Sequence, residues 1–342
     1  MEIAKFRALL KEGRIAGAYL FAGEEDYLKK YYMNELRRAA EGDEAFALFN
    51  RASFDGDGVE ISAVAEAICS PPMMADYKFV EWKYPEIDRM RESERAAFAE
   101  LGRLTKEHPE TVFAVFCAPE SFDCGSVRRP SKLAKELDRD FCVLNFEKST
   151  DAQLLSWLKK HFDAEGIEAG AQALSFLLFR VGHSMTVLSS EVEKLSAYLK
   201  ANGVTVLTEE AIATVSAATE EYDGFALSNA ITEKNREKAF GALHDMEMRK
   251  VDPGAALAML SRSFADILTV ASLLAEGMDA AAVESFLHWN PYKVKVTIAA
   301  ARRFGAAASA EALADLRAAD AASKSGGSAG YTPLEIFLAK YL

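Results

Sequence analysis

Seven successive residues, Thr111-Val112-Phe113-Ala114-Val115-Phe116-Cys117, form an uncharged apolar run rich in β-branched and aromatic side chains. A strand built from such a run must be covered on both faces, as in a parallel sheet. That demands helices packed on each side, and the neighbouring sequence supplies them. Tyr19-Leu20-Phe21-Ala22 is a short apolar run ending at Gly23, after which Leu28, Tyr31, Tyr32, Leu36 and Ala39 recur at three- and four-residue spacing. Phe46, Leu48 and Phe49 mark a second, weaker strand. Val59 to Cys69 reads as a helix, Lys78 to Trp82 as a strand, Arg91 to Glu107 as a charged amphipathic helix, and Phe141 to Phe146 as a further strand. The alternation predicts an α/β domain around a central, mostly parallel sheet.

After about Lys148 the pattern becomes helical. Ser149 or Thr150 can cap a helix through Leu154, Leu155, Trp157, Leu158 and Phe162. Ala171 to Val181 and Val187 to Leu199 are two more helices, Asn202-Gly203 is a turn, and Thr208-Glu209-Glu210-Ala211 opens another helix. The start signal Asp252-Pro253 precedes a stripe of Leu257, Leu260, Phe264, Ile267, Leu268, Ala271 and Leu274. Ser323 to Gly330 reads as a flexible connector and Thr332 to Leu342 as a final helix. The expected organisation is an α/β domain over 1–147, a small helical domain over 148–207 and a larger helical domain over 208–342. Machines of the AAA+ type share this plan, a likeness of architecture that does not fix function.

The chemistry such a plan would need is missing. A phosphate-binding loop, G-x-x-x-x-G-K-[ST], exposes backbone N–H groups and a lysine to the phosphates. After the first strand the sequence is instead Gly23-Glu24-Glu25-Asp26, whose three carboxylates would repel them. No glycine is followed by lysine, and no apolar strand ends in an Asp-Glu pair for magnesium. The acidic residues suit the positive end of the next helix. An ATP-driven enzyme with an unusual phosphate site remains the rival reading. Neither G-x-S-x-G nor G-x-G-x-x-G occurs, and the five histidines show no H-E-x-x-H spacing. Asp55-Gly56-Asp57-Gly58 is turn chemistry without the remaining calcium ligands. Neither a catalytic residue, a cofactor nor a metal is expected. The four cysteines form no CxxC pair and fit reduced thiols in the cytoplasm.

Charge narrows the partners. The 52 acidic and 40 basic residues leave a net charge of −12, which opposes a mainly electrostatic grip on nucleic acid. Arg128, Arg129, Lys132 and Lys135, and separately Lys293 and Lys295, are small basic stretches that read as solvated helix faces. No run of 18 apolar residues exists, so no membrane span is expected, and Glu2, Lys5 and Arg7 interrupt any signal-peptide core in Met1 to Leu10.

One segment breaks the local rules. Ser70-Pro71-Pro72-Met73-Met74-Ala75-Asp76 joins a helix to a strand. The prolines end the helix and stiffen the chain. They deliver two methionines where loops usually carry polar residues. Either Met73 and Met74 fold back into the domain core, or they protrude as an apolar plug for a partner's pocket.

The chain resembles the delta-subunit family of the bacterial DNA polymerase III clamp loader. The likeness begins at Ala18-Tyr19-Leu20-Phe21-Ala22-Gly23-Glu24-Glu25-Asp26-Tyr27-Leu28, continues at Phe54-Asp55-Gly56 and at Ser70 to Trp82, and resumes at Ser189-Ser190-Glu191-Val192-Glu193-Lys194-Leu195. Thr208 to Ile212, Phe225 to Ile231 and Lys324-Ser325-Gly326 follow in the family's order. The resemblance implies an AAA+-like fold without working ATP chemistry, a helical lid and a C-terminal helical collar. It implies a protein that binds the sliding clamp (beta) and springs one clamp interface open. The clamp-binding positions are then Pro71, Pro72, Met73 and Met74, where the family more often has Leu and Phe or two aromatics. The implied partners are the loader's ATPase subunits (tau/gamma) and delta-prime, in a pentamer, with primed DNA contacted indirectly or weakly. Catalysis would belong to the polymerase holoenzyme, a nucleotidyltransferase. A delta-prime-like subunit is the nearer alternative, but its Ser-Arg-Cys signature and four-cysteine zinc site are absent from this sequence.

Overall fold

The computed structural model describes residues 3–41, 47–325 and 330–342. The chain divides into two compact units, Met1–Ser149 and Thr150–Leu342. In the first, helices and strands alternate as α1 (Ile3–Lys11), β1 (Gly17–Ala22), α2 (Asp26–Glu41), β2 (Arg51–Asp55), α3 (Ile61–Cys69), β3 (Lys78–Lys83), α4 (Glu92–Glu107), β4 (Thr111–Phe116), α5 (Lys132–Leu137) and β5 (Cys142–Asn145). The sheet order is β2-β3-β4-β1-β5, and each pairing is parallel.

The apolar run at Thr111 forms the central strand, and all six residues of β4 are buried. Successive side chains point to opposite faces. Phe113 and Val115, with Leu20, Val80 and Trp82, pack on Val64 and Ile68 of α3, Phe98 and Leu101 of α4, and Leu137 of α5. Val112, Ala114 and Phe116, with Tyr19, Phe21 and Phe79, pack on Phe6 of α1 and on Met33 and Leu36 of α2. The expected doubly covered parallel sheet is therefore present.

The second strand is displaced from its expected place. It is Arg51–Asp55, while Leu48 and Phe49 lie in a turn and are 86% and 65% exposed; Phe46 lies outside the described residues. Hydrophobicity misplaces the strand because β2 is an edge strand. Its half-exposed Arg-Ala-Ser-Phe-Asp sequence carries little apolar signal, whereas the preceding turn does. Helices α1 and α5 are also additions to the expected pattern.

The second unit contains α6 (Asp151–Ala164), β6 (Glu168–Ala169), α7 (Ala171–Val181), α8 (Met185–Ala201), β7 (Val206–Leu207), α9 (Glu209–Val215), α10 (Glu220–Thr232), α11 (Arg236–Met248), α12 (Pro253–Ala275), α13 (Ala280–Leu287), α14 (Pro291–Lys324) and α15 (Thr332–Tyr341). It is not wholly helical: β6 and β7 pair in parallel over two residues each, too short for periodicity to reveal. Thr150 caps α6 by accepting the Gln153 N–H, and Asp252 caps α12 by accepting the Ala255 N–H. The stripe of α12 is buried at Leu257, Leu260, Phe264 and Ile267 and forms the centre of a helical core with α10, α11, α14 and α15. With 23 residues and a mean hydropathy of 1.5, α12 alone among the described residues is long and apolar enough to cross a membrane, although Arg262 and Asp266 interrupt its apolar run. Its apolar face is used within this unit's core. Ser323 and Lys324 belong to α14 instead of the expected connector, and residues 326–329 lie outside the described residues.

Candidate functional site

The loop between α3 and β3 is fixed at both ends. The Ser70 N–H donates to the Glu66 carbonyl at 3.1 Å and its hydroxyl to the Ala67 carbonyl at 3.0 Å, closing the helix. Pro71 and Pro72 have no N–H with which to continue it. Lys78, the first residue of β3, donates its ammonium back to the Ser70 hydroxyl. Burial holds the Lys78 ammonium below the ordinary lysine pKa.

Between these ends Pro71 is exposed and Pro72 half-buried. Met73 is 53% exposed and Met74 82% exposed, so the reading in which both fold back into the core is ruled out. Met74 has φ of 52°, the left-handed region that residues with a Cβ rarely adopt. A third residue organises the loop. Asn50 donates from Nδ2 to the Met73 carbonyl at 2.8 Å and accepts the Met73 N–H on Oδ1 at 2.6 Å. The sequence gives no strong sign of this, because a lone Asn before a strand reads as turn chemistry. Leu48 and Phe49 precede Asn50 directly, so exposed apolar side chains flank the anchor in sequence as well as at Met73 and Met74. Strands β2 and β3 are adjacent and parallel, and both loops precede their strands. They therefore share the N-terminal edge of the sheet.

The place for a nucleotide is the opposite edge, at the C-terminal ends of the strands. Three residues, Gly23, Glu24 and Glu25, join β1 to α2, too few for a phosphate-cradling loop. The Glu25 N–H donates to the Phe146 carbonyl at 2.9 Å and the Asp26 N–H to the Glu24 carbonyl at 3.2 Å, so two amides of this turn are used internally. Lys29 is fully buried, donates to the Cys117 carbonyl at 2.8 Å, lies 2.8 Å from the Asp26 carboxylate and sits 4.9 Å above the Phe116 ring. A crevice of about 450 Å³ beside the turn is lined by Glu24, Asp123 and Glu147, with Lys148 as its lysine. The Glu24 carboxylate pairs with Lys148 at 3.4 Å.

The basic stretches differ from each other. Arg128 and Arg129 are exposed on the loop before α5 instead of on a helix, and Lys132 and Lys135 are exposed on α5. Lys293 is not a solvated residue: its ammonium lies 2.9 Å from Glu221 and 3.0 Å from Asp266, over the Trp289 ring.

The family model for the DNA polymerase III delta subunit matches residues 19–147, and the model for that subunit's C-terminal domain matches residues 221–341. The chain belongs to the DNA polymerase III delta-subunit family. A DNA polymerase III subunit delta of Bacillus subtilis is 22% identical to this delta chain over 340 residues, covering 97% of it and 95% of the relative. The solved structure of a Bacillus subtilis DNA clamp loader delta protein matches it with a TM-score of 0.57 at 21% identity, over 99% of this chain and 98% of the other. The delta chain therefore has the fold of that protein. The Thermotoga maritima RuvB branch migration motor matches 74% of the chain at 12% identity with a TM-score of 0.39. The Pro71–Met74 loop lies within the N-terminal matched segment of the delta chain. The Glu191-x-x-Lys194 motif falls between the matched segments, where Glu191 is buried and pairs with Lys194 at 2.6 Å across one turn of α8.

Proposed function

We propose that this delta chain binds the sliding clamp of DNA replication and opens it by inserting Met73 and Met74 into an apolar pocket of the clamp, without hydrolysing ATP itself. The observation that carries the reading is the exposure of both methionines at the tip of a loop fixed at each end. Burying a Met side chain fully contributes roughly 1.5–3 kcal/mol. Two such anchors supply several tenfold steps in affinity at about 1.4 kcal/mol each. Methionine's flexible thioether adapts to a pocket shaped for Leu, Phe or other large apolar groups.

Opening follows as a population shift. A chain that binds the opened clamp more tightly than the closed one moves the equilibrium by that difference in affinity, with no hydrolysis in this subunit. The turn Gly23 to Glu25 and the internally paired Lys29 support the second half of the reading, since phosphate would meet carboxylates and find that lysine already occupied. ATPase subunits and a delta-prime subunit complete a pentameric loader with this chain in the cytoplasm. In that assembly residues 148–207 serve as a helical lid and residues 208–342 as the collar. Pairing of Lys293 with Glu221 and Asp266 leaves Arg128, Arg129, Lys132 and Lys135 as the stretch suited to weak contact with primed DNA.

A clamp labelled with a fluorescent donor and acceptor across one subunit interface tests the reading. Adding the delta chain without nucleotide lowers energy transfer, and the Met73→Ala/Met74→Ala double variant leaves it unchanged. Undiminished transfer with the wild-type chain at saturating concentration contradicts the proposal.

A further inference from the structure

Asn50 is only 1% exposed, yet it carries a primary amide with two donors and an acceptor to satisfy. Both ends of that amide are spent on one residue. Nδ2 donates to the Met73 carbonyl at 2.8 Å, and Oδ1 accepts the Met73 N–H at 2.6 Å. The main chain of Asn50 is fixed as well. Its carbonyl accepts the Phe79 N–H at 2.8 Å, which extends the β2–β3 ladder by one bond, and its N–H donates to the Ala47 carbonyl at 3.2 Å. The side chain of Asn50 thus pairs with Met73 as a neighbouring strand's backbone would, and it hangs that pairing on the sheet. Pro71 and Pro72 lack an N–H, and among the described residues the backbone from Pro71 to Tyr77 is held by hydrogen bonds at Met73 alone. Directly after that anchor, Met74 adopts φ of 52°. A left-handed residue with a side chain persists only where its surroundings over-determine it.

We propose that Asn50 is the positioning residue of the clamp-binding loop: it holds Met73 and Met74 outward in the free protein, so that binding does not first have to order them. This rests on the reading that the two methionines dock into the clamp. A preformed loop binds more tightly because the cost of ordering it is met during folding. Asn50 is not itself a clamp-contacting residue. It acts through the Met73 backbone, and the effect of removing it must therefore vanish when the methionines are gone.

Clamp affinity of the full-length chain, measured by titration, tests this in four proteins: wild type, Asn50→Ala, Met73→Ala/Met74→Ala, and the triple variant. The expected result is a loss of about tenfold or more for Asn50→Ala, with no further loss when Asn50→Ala is added to the double variant. Wild-type affinity of Asn50→Ala, or the same loss in both backgrounds, overturns the positioning role while leaving the methionine reading intact. Wild-type affinity of the double variant removes the methionine reading and this proposal with it. Hydrogen exchange on the unaltered protein needs no variant: the Met73 amide is expected to exchange as slowly as amides inside β3, and fast exchange there overturns the proposal even if Asn50→Ala fails to fold.

Discussion

Asp26 and Lys29, one helical turn apart at the start of α2, form an ion pair at 2.8 Å in which the lysine is wholly enclosed and the aspartate is half exposed. The same ammonium donates to the Cys117 carbonyl just beyond β4, so it ties α2 to the sheet at the edge where a nucleotide would otherwise sit. Replacing Lys29 by Met keeps the apolar stem and removes the charge. Lys29→Met is expected to destabilise the fold by about 2 kcal/mol through the lost hydrogen bond and the carbonyl left without its donor. Denaturant unfolding measures this. Neither the variant nor the wild type is expected to bind Mg-ATP in a calorimetric titration, and saturable micromolar binding contradicts that account of the turn.

Gly23 tests how tightly the same turn is closed. Its φ is 97°, and a Cβ there would lie 2.4 Å from the Phe146 carbonyl oxygen and 2.6 Å from Asn145 Oδ1. Backbone cannot retreat as a flexible side chain can. Gly23→Ala is expected to cost roughly 2–4 kcal/mol, visible as a lower melting temperature.

Glu81 gives the first unit a pH signature. Its carboxylate is buried, and its Oε1 accepts from Ser53 at 2.5 Å, from Arg51 at 2.6 Å and from Lys83 at 3.2 Å. Burial alone would raise its pKa, but these three bonds outweigh burial and hold it below the ordinary Glu value of 4.5. A carboxyl depressed in the folded state contributes stability that is complete above its unfolded value and is lost as pH falls through the folded one. Stability is therefore expected to fall on acidification below about pH 4.5, and Glu81→Gln is expected to flatten that fall while lowering stability at neutral pH. Urea unfolding across an acidic pH series distinguishes the two curves.

Met74 separates stability from binding. Glycine relieves the left-handed strain at φ of 52°, a penalty of about 1–2 kcal/mol for residues with a Cβ, partly offset by glycine's greater freedom in the unfolded chain. Met74→Gly is expected to leave the melting temperature unchanged or raise it by a few degrees. The same variant is expected to weaken clamp binding at least tenfold, the cost of losing one buried methionine. A parallel drop in both quantities would assign Met74 a purely structural role.

The central sheet was legible because β4 is apolar throughout and α2 beside it has a clear helical period, and the core helix α12 of the second unit was legible for the same reason, its length displaying its period. The edge strand β2 was not, because Leu48 and Phe49 in an exposed turn outweigh Arg51 and Ser53 in hydrophobicity. The paired β6 and β7 are too short to show any period. The methionine loop stood out in sequence through its two prolines. Its anchor did not, because the contact between Asn50 and Met73 spans 23 positions and depends on β2 and β3 being neighbours, which sequence spacing alone does not specify. Lys29 was likewise silent, since a lysine in an amphipathic helix reads as solvated until the fold encloses it.

The docking of Met73 and Met74 is tested most directly by isothermal titration of the cognate clamp with the wild-type chain and with the Met73→Ala/Met74→Ala variant, the fold of the variant being checked by circular dichroism. The expected result is a loss of about a hundredfold or more in affinity with the spectrum unchanged. Equal affinities for the two proteins would contradict it.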